Sequence, residues 1–218
     1  MIDQETSAAP ARGKVSDRAA VLRAATQSTH EKLDTSIMAA RPFDSISNYS
    51  KFLKVQHAFH RDVSPLYDAQ VLQNLIPDLP NRARLAAVVQ DATDLGITLP
   101  DYVTAPATAE DTGLPEALGW LYVVEGSNLG AAFLFRAALK LGLSATHGAR
   151  HLAEAPEGRA KQWRDFRAAL DAVQLTEAEQ ARAITGANVA FECVRSLVAE
   201  HLAGRPSDSE TVTFPGVS

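Results

Sequence analysis

Several chemically decisive features are scarce in this sequence of 218 residues. A single cysteine, Cys193, excludes an intrachain disulfide and every CxxC motif for metal or haem attachment, and it favours a reducing compartment. The formal net charge of -5 gives no electrostatic basis for binding nucleic acid or an anionic membrane. Neither a P-loop nor a GxGxxG motif is present, so the chain carries no nucleotide-binding signature.

Long uninterrupted apolar runs are also missing. The densest one, between Leu114 and Leu143, is interrupted by Glu125, Asn128 and Arg136, which predicts a core helix and not a membrane span. The first 14 residues lack the apolar centre of a secretory signal, so we expect a cytoplasmic protein. A hydrophobic content of 46% is sufficient for a sizeable core.

Apolar residues recur with helical periodicity through the body of the chain, and no strand pattern is visible. We therefore predict an all-α fold in one domain, residues 16–203, between flexible tails at 1–15 and 204–218. The predicted helical segments are 17–40, 46–75, 80–95, 114–142, 157–172 and 176–202.

Polar residues and one proline mark the expected limits of these helices. Ser16 or Asp17 can cap the first segment, Ser45 or Ser47 can cap the second, and Thr176 with Glu179 forms a capping box for the last. Pro65 is expected to kink or divide the second segment.

Two glycines inside the fourth apolar segment require an explanation. Gly126 and Gly130 are spaced by four residues and share one helix face, which Gly119 extends. A glycine inside a helix costs about 1 kcal/mol relative to alanine. Close packing of another helix would explain these glycines, and so would close approach of the backbone to a flat ligand.

The first segment carries a histidine that we expect to face inward. His30 has Asp34 four residues later, in position to accept a hydrogen bond from Nδ1 and to direct Nε2 at a metal. Arg23 lies two turns earlier on the same face, about 10 Å away along the axis, and suits a carboxylate. A macrocycle between His30 and the glycines would explain both segments, although a hydrogen-bonded core histidine remains the simpler alternative.

Three motifs together resemble the bacterial haem oxygenases: TQSTHEKLD, GWLYVVEGSNLGAAFLF and GARHLAEAPEGRAKQWRDF. The resemblance runs in the same order over residues 20–202. It implies an all-helical fold in which haem b is cofactor and substrate. It also implies consumption of O2 and external electrons, and release of biliverdin, CO and Fe2+.

The resemblance assigns roles to individual residues of this chain. By position, His30 resembles the proximal iron ligand, Asp34 its hydrogen-bonding partner, and Gly126 and Gly130 the glycines of the distal helix. The remaining candidates are Ser127, where mammalian relatives have an aspartate that organises water, Asn128 beside it, and Phe191 as a wall of the pocket.

Basic residues bear on which meso carbon is opened. Bacterial relatives that open the ring away from the α position use lysines where this chain has Met38 and Ala137. Arg23 and Arg167 instead resemble residues that anchor the propionates in α-specific members. The resemblance thus favours biliverdin IXα.

The chain has no flavin or nicotinamide motif, so electrons must come from a ferredoxin or a reductase. The segment Arg150–Arg167 is rich in basic residues and is a candidate docking surface for that partner. Iron acquisition and supply of the bilin to a photoreceptor would use the same catalyst.

Two other functions remain open from the sequence: a haem carrier or sensor without turnover, and a helical interaction module without haem. His57 and His60 suggest a metal site only weakly, because no further ligand is identifiable.

Overall fold

The computed structural model describes residues 17–202, and these residues form seven α-helices and two 3-10 segments without a β-strand. The all-α prediction is confirmed for this part of the chain, and both predicted tails lie outside it. The α-helices are α1 (Arg18–Ala39), α2 (Ile46–Asp68), α3 (Gln70–Leu75), α4 (Leu85–Asp94), α5 (Leu114–Lys140), α6 (Arg159–Ala172) and α7 (Glu177–His201). The 3-10 segments are Leu79–Arg82 and Arg150–Leu152.

The helix starts follow the capping residues. The Asp17 carboxylate accepts from the backbone of Ala20, the Ser45 hydroxyl caps α2, and Thr176 with Glu179 forms the complete capping box of α7. The second segment was expected to kink or divide at Pro65, but α2 continues past this proline to Asp68. The break between α2 and α3 falls at Ala69.

Helices α5 and α7 form the tightest crossing of the fold. A Cβ atom added to Gly119 of α5 would overlap the backbone of Ala183 and Ala187, and one added to Gly186 of α7 would overlap the backbone of Glu116. These two glycines therefore let the helix backbones touch.

Helix α5 is the one described helix that is long and apolar enough to cross a membrane, and half of its most apolar stretch is buried within the domain. Its close packing on α7 is that of a core helix, as expected from its interrupting polar residues. The cytoplasmic location stays a prediction.

Candidate active site

His30 lies on an open part of α1. Its side chain is 58% exposed, so the expectation that it faces inward is wrong. Its Nδ1 atom is 3.1 Å from Oδ2 of Asp34, which leaves Nε2 available to a ligand. The ring of Phe191 on α7 packs edge-on against the imidazole, with 5.6 Å between ring centroids.

The glycine face of α5 is covered by α7 in its first part and open further along the helix. A Cβ atom on Gly126 or Gly130 would meet nothing within 4 Å, whereas Gly119 is covered by α7. Gly119 therefore does not extend the open strip. A glycine is needed at this position because α7 packs directly against it. Phe133 continues the open face one turn beyond Gly130 and is 57% exposed. An apolar surface with bare backbone at its centre results.

Ser127 and Asn128 differ in their relation to this strip. The Ser127 hydroxyl donates to the carbonyl of Val124 at 2.7 Å, so it retains only acceptor capacity toward a neighbouring water. Asn128 lies roughly 200° around the helix from Gly126 at 3.6 residues per turn. Its backbone carbonyl accepts from Arg159, and this position on the helix does not favour the role of Asn128 as a haem contact, which stays a prediction.

Tyr122 is a further candidate for the site that the sequence motifs did not indicate. It lies one turn before Gly126 on the same face, and this i, i+4 spacing was the available signal. Thr26 of α1, whose hydroxyl donates to the carbonyl of Leu22, and Arg23 both lie near enough to its phenol to affect its pKa. Burial raises the pKa of Tyr122, against the opposing effects of Thr26 and Arg23. Arg23 and Tyr122 thus offer neighbouring donors to a carboxylate.

Two other candidate positions, Arg167 and Met38, are exposed on the helices around this region. Arg167 on α6 is exposed and lies 3.4 Å from the carboxylate of Asp17. It is one turn along α6 from Trp163, whose ring packs against Tyr122. Met38 is exposed near the end of α1 and carries no charge where the lysine-containing relatives have one.

Glu125 faces away from the glycines. Its carboxylate is buried and accepts from Nη1 of Arg82 at 2.8 Å. Burial raises the pKa of Glu125, and the Arg82 charge opposes this effect. No acid or base on α5 therefore points into the open strip from the segment 119–135.

The basic segment after Arg150 is used inside the protein. Arg150 pairs with Asp91 and Asp94, Arg159 donates to two backbone carbonyls, and Lys161 pairs with Asp165 on its own helix. Arg150 and Lys161 of the predicted basic docking surface are therefore paired with carboxylates, and the docking surface stays a prediction.

The remaining histidines do not form a metal site. His60 and His151 are buried, and His57 packs against the ring of Tyr102. Within residues 17–202, no three histidine, cysteine, aspartate or glutamate side chains are placed to hold a metal ion.

An exposed, carboxylate-oriented imidazole on one helix and a bare backbone strip on another define an all-helical protein suited to a flat ligand with an axial ligation site. The heme oxygenase family model matches residues 16–200. The heme oxygenase PigA of Pseudomonas aeruginosa is 44% identical over 166 residues, which cover 76% of this chain and 83% of PigA.

Solved structures agree with this match. The NO- and CO-bound heme oxygenase from Neisseria meningitidis is 40% identical, with a TM-score of 0.81 over 91% of this chain and 99% of that one. The heme oxygenase from Leptospira interrogans shares the fold at 17% identity, with a TM-score of 0.69 over 85% of this chain and 100% of that one. The chain belongs to the haem oxygenase family, and it is an enzyme of haem degradation with haem as its substrate.

Proposed function

We propose that this enzyme opens haem at the α-meso carbon, using O2 and electrons from an external donor, and releases biliverdin IXα, CO and Fe2+. The open backbone at Gly126 and Gly130 carries this proposal. The same helix uses Gly119 for close packing, so the absence of packing contacts at the other two glycines indicates space for a ligand. The residues present therefore fit a flat macrocycle.

His30 and Asp34 form the proximal side. Nε2 of His30 would hold the iron, because the Asp34 carboxylate accepts the Nδ1 hydrogen and so fixes the tautomer and the ring orientation. Phe191 limits rotation of the imidazole by its edge-on contact. Haem supplies the iron centre at which O2 is activated and the macrocycle that is cleaved.

Gly126, Gly130 and Ser127 form the distal side. Backbone without side chains lies against the macrocycle and restricts the directions open to a small ligand. The Ser127 hydroxyl, which donates to Val124, accepts a hydrogen bond from a water that can carry a proton. Within the segment 119–135 of α5, no acidic or basic side chain competes with that water, because Glu125 is held by Arg82 behind the helix.

Arg23 and Tyr122 orient the haem macrocycle. A guanidinium and a phenol at one end of the open strip suit a propionate, and Arg167 lies further along α6 as a second cation. Met38 and Ala137 provide no competing charge at the positions of the lysines in the other relatives. This distribution favours the α position.

The electron donor is a ferredoxin or a reductase, because the chain carries no redox motif of its own. The internal pairing of the basic segment does not favour it as the docking surface. A bilin-binding photoreceptor is a compatible acceptor for the product, and the location that suits these partners is the cytoplasm.

Addition of haemin, then a reductant in air, tests the function. We expect a Soret band on binding, its loss during turnover, and a single bilin that elutes as the IXα isomer. His30→Ala should lose the axial histidine signature in the haem spectrum. A stable complex without bilin would support a carrier, and a different bilin isomer would contradict the assignment of Arg23.

A further inference from the structure

Arg159 contacts the rear of α5 between the two open glycines. Its Nη1 donates to the carbonyl of Asn128 at 2.9 Å, and its Nη2 donates to the carbonyl of Leu152. Asn128 lies roughly half a turn around the helix from both Gly126 and Gly130. The guanidinium therefore holds α5 directly behind its open face.

This contact is unusual for the middle of a helix. The carbonyl of Asn128 is already the expected acceptor for the N–H four residues later, so Arg159 adds a second donor to it. Hydrogen bonds from a charged donor are about twice as strong as neutral ones. A side chain that enters the hydrogen-bond ladder is also a known cause of local helix distortion.

Arg159 is itself held by rigid surroundings. It is the first residue of α6 and follows Gly158, whose φ of 85° and ψ of 148° are accessible only to glycine. Leu152 ends a 3-10 segment that Asp91 of α4 holds through the backbone and ring of His151. The guanidinium thus connects the glycine segment of α5 to the fixed part of the fold.

We propose that Arg159 is a positioning residue that holds the Gly126–Gly130 backbone, through the carbonyl of Asn128, in place on the distal side of bound haem. The inference rests on the proposed function, because it assumes haem between His30 and these glycines. Loss of the contact should loosen the distal side and leave ligation by His30 in place.

Two substitutions and a matched control test the proposal. Arg159→Met removes both donors and keeps the aliphatic stem, while Arg159→Lys keeps the charge without the two-pronged geometry. Arg182→Met is the control: Arg182 also binds α5, through two bonds of 2.6 and 2.8 Å to the Glu116 carboxylate. Glu116 lies about 15 Å from Gly126 along the helix axis.

The first measurement is amide hydrogen exchange over residues 124–134 in the haem-free protein. Arg159→Met should exchange about tenfold faster or more, as expected from the loss of one charge-assisted hydrogen bond, and Arg159→Lys should be intermediate. The second is the C–O stretching band of the CO complex, which should shift in Arg159→Met while haem affinity and the axial histidine signature stay close to wild type. Arg182→Met should change neither quantity.

Unchanged exchange and an unchanged band in a folded, haem-binding Arg159→Met protein would overturn this inference alone. Equal changes in Arg182→Met, or failure of both Arg159 variants to fold, would also overturn it by assigning Arg159 to general stability. Absence of haem binding by the wild-type protein would overturn the proposed function and this inference together.

Discussion

The Asp34 carboxylate determines which nitrogen of His30 is available to iron. Both side chains are more than half exposed, so water can replace part of their 3.1 Å interaction. Asp34→Asn retains an acceptor and removes the charge. We expect haem affinity to fall by about tenfold, the lower end of the effect of such outer partners on metal sites. Titration of the Soret band measures it.

Glu31→Gln is the control for this substitution, because Glu31 is exposed on the same helix and accepts from Gln27. It removes the same charge one residue from His30 without changing the imidazole's partner. Equal affinity losses in the two variants would show that net charge, and not the Asp34 contact, controls binding.

Cys193 is a second residue whose chemistry follows from its surroundings. Burial raises the pKa of its thiol to about 12, and the charge of Asp62, 3.6 Å from the sulfur, acts in the same direction. At pH 8 the thiolate is then about one part in 10⁴, against roughly a quarter for an ordinary cysteine.

We therefore expect the folded protein to react with a disulfide reagent at pH 8 at least about a hundredfold more slowly than the chain unfolded in guanidinium. The release of the reporter thiol, followed by absorbance, measures both rates. Similar rates would contradict the half-buried, protonated state of Cys193.

At the scale of single elements, α5 contains glycines of two kinds. Gly126→Ala and Gly130→Ala introduce methyl groups into open space, so each should stabilise the haem-free protein by up to about 1 kcal/mol through helix propensity. Both should nevertheless weaken haem binding or turnover, because the methyl group enters the proposed distal surface. Urea unfolding and haem titration measure the two effects.

Gly119→Ala is the matched substitution on the same face. Its methyl group would overlap the backbone of Ala183 and Ala187, and we expect a loss of about 3 kcal/mol or more of stability. If Gly126→Ala were equally destabilising, the face at residue 126 would be covered and the proposed site would be wrong.

Features of the site that arise from short spacings could be predicted from the sequence. The His30–Asp34 pair and the Gly126–Gly130 strip are i, i+4 patterns, and the capping box of α7 is an i, i+3 pattern. The sequence could not separate Gly119 from the other glycines, because only the packing of α7 covers it.

Contacts between distant residues carried no local signal. Arg82 and Glu125 are 43 residues apart, and Asp91 and His151 are 60 apart. The charges of Arg150 and Arg159 suggested a docking surface only because their internal partners could not be seen. Such long-range pairs could therefore not be predicted from the sequence.

At the scale of the whole molecule, buried polar groups join the helices into one unit. The buried Asp91 carboxylate of α4 accepts from the backbone of Arg150 at 3.0 Å, and from the backbone and Nδ1 of His151 at 2.9 and 2.7 Å. His60 of α2 is buried nearby, where the charges of His151 and Arg84 act on it. Protonation of these histidines is therefore coupled to unfolding of the entire domain.

Burial lowers the pKa of His60 to about 3, and the charges of His151 and Arg84 act in the same direction. Burial also lowers the pKa of His151, against the opposing effect of Asp91. The unfolded chain binds protons near pH 6.5 that the folded protein excludes, so stability is complete above pH 6.5 and falls as the pH decreases toward 3.

We expect the free energy of unfolding to fall by up to about 1.4 kcal/mol per pH unit between pH 6 and 4 for each histidine kept neutral by folding. Urea unfolding followed by circular dichroism at several pH values measures this slope. His60→Gln should make it shallower by about that amount. An equal slope in wild type and His60→Gln would mean that His60 takes up its proton in the folded state, and acid sensitivity would then have to originate elsewhere in the domain.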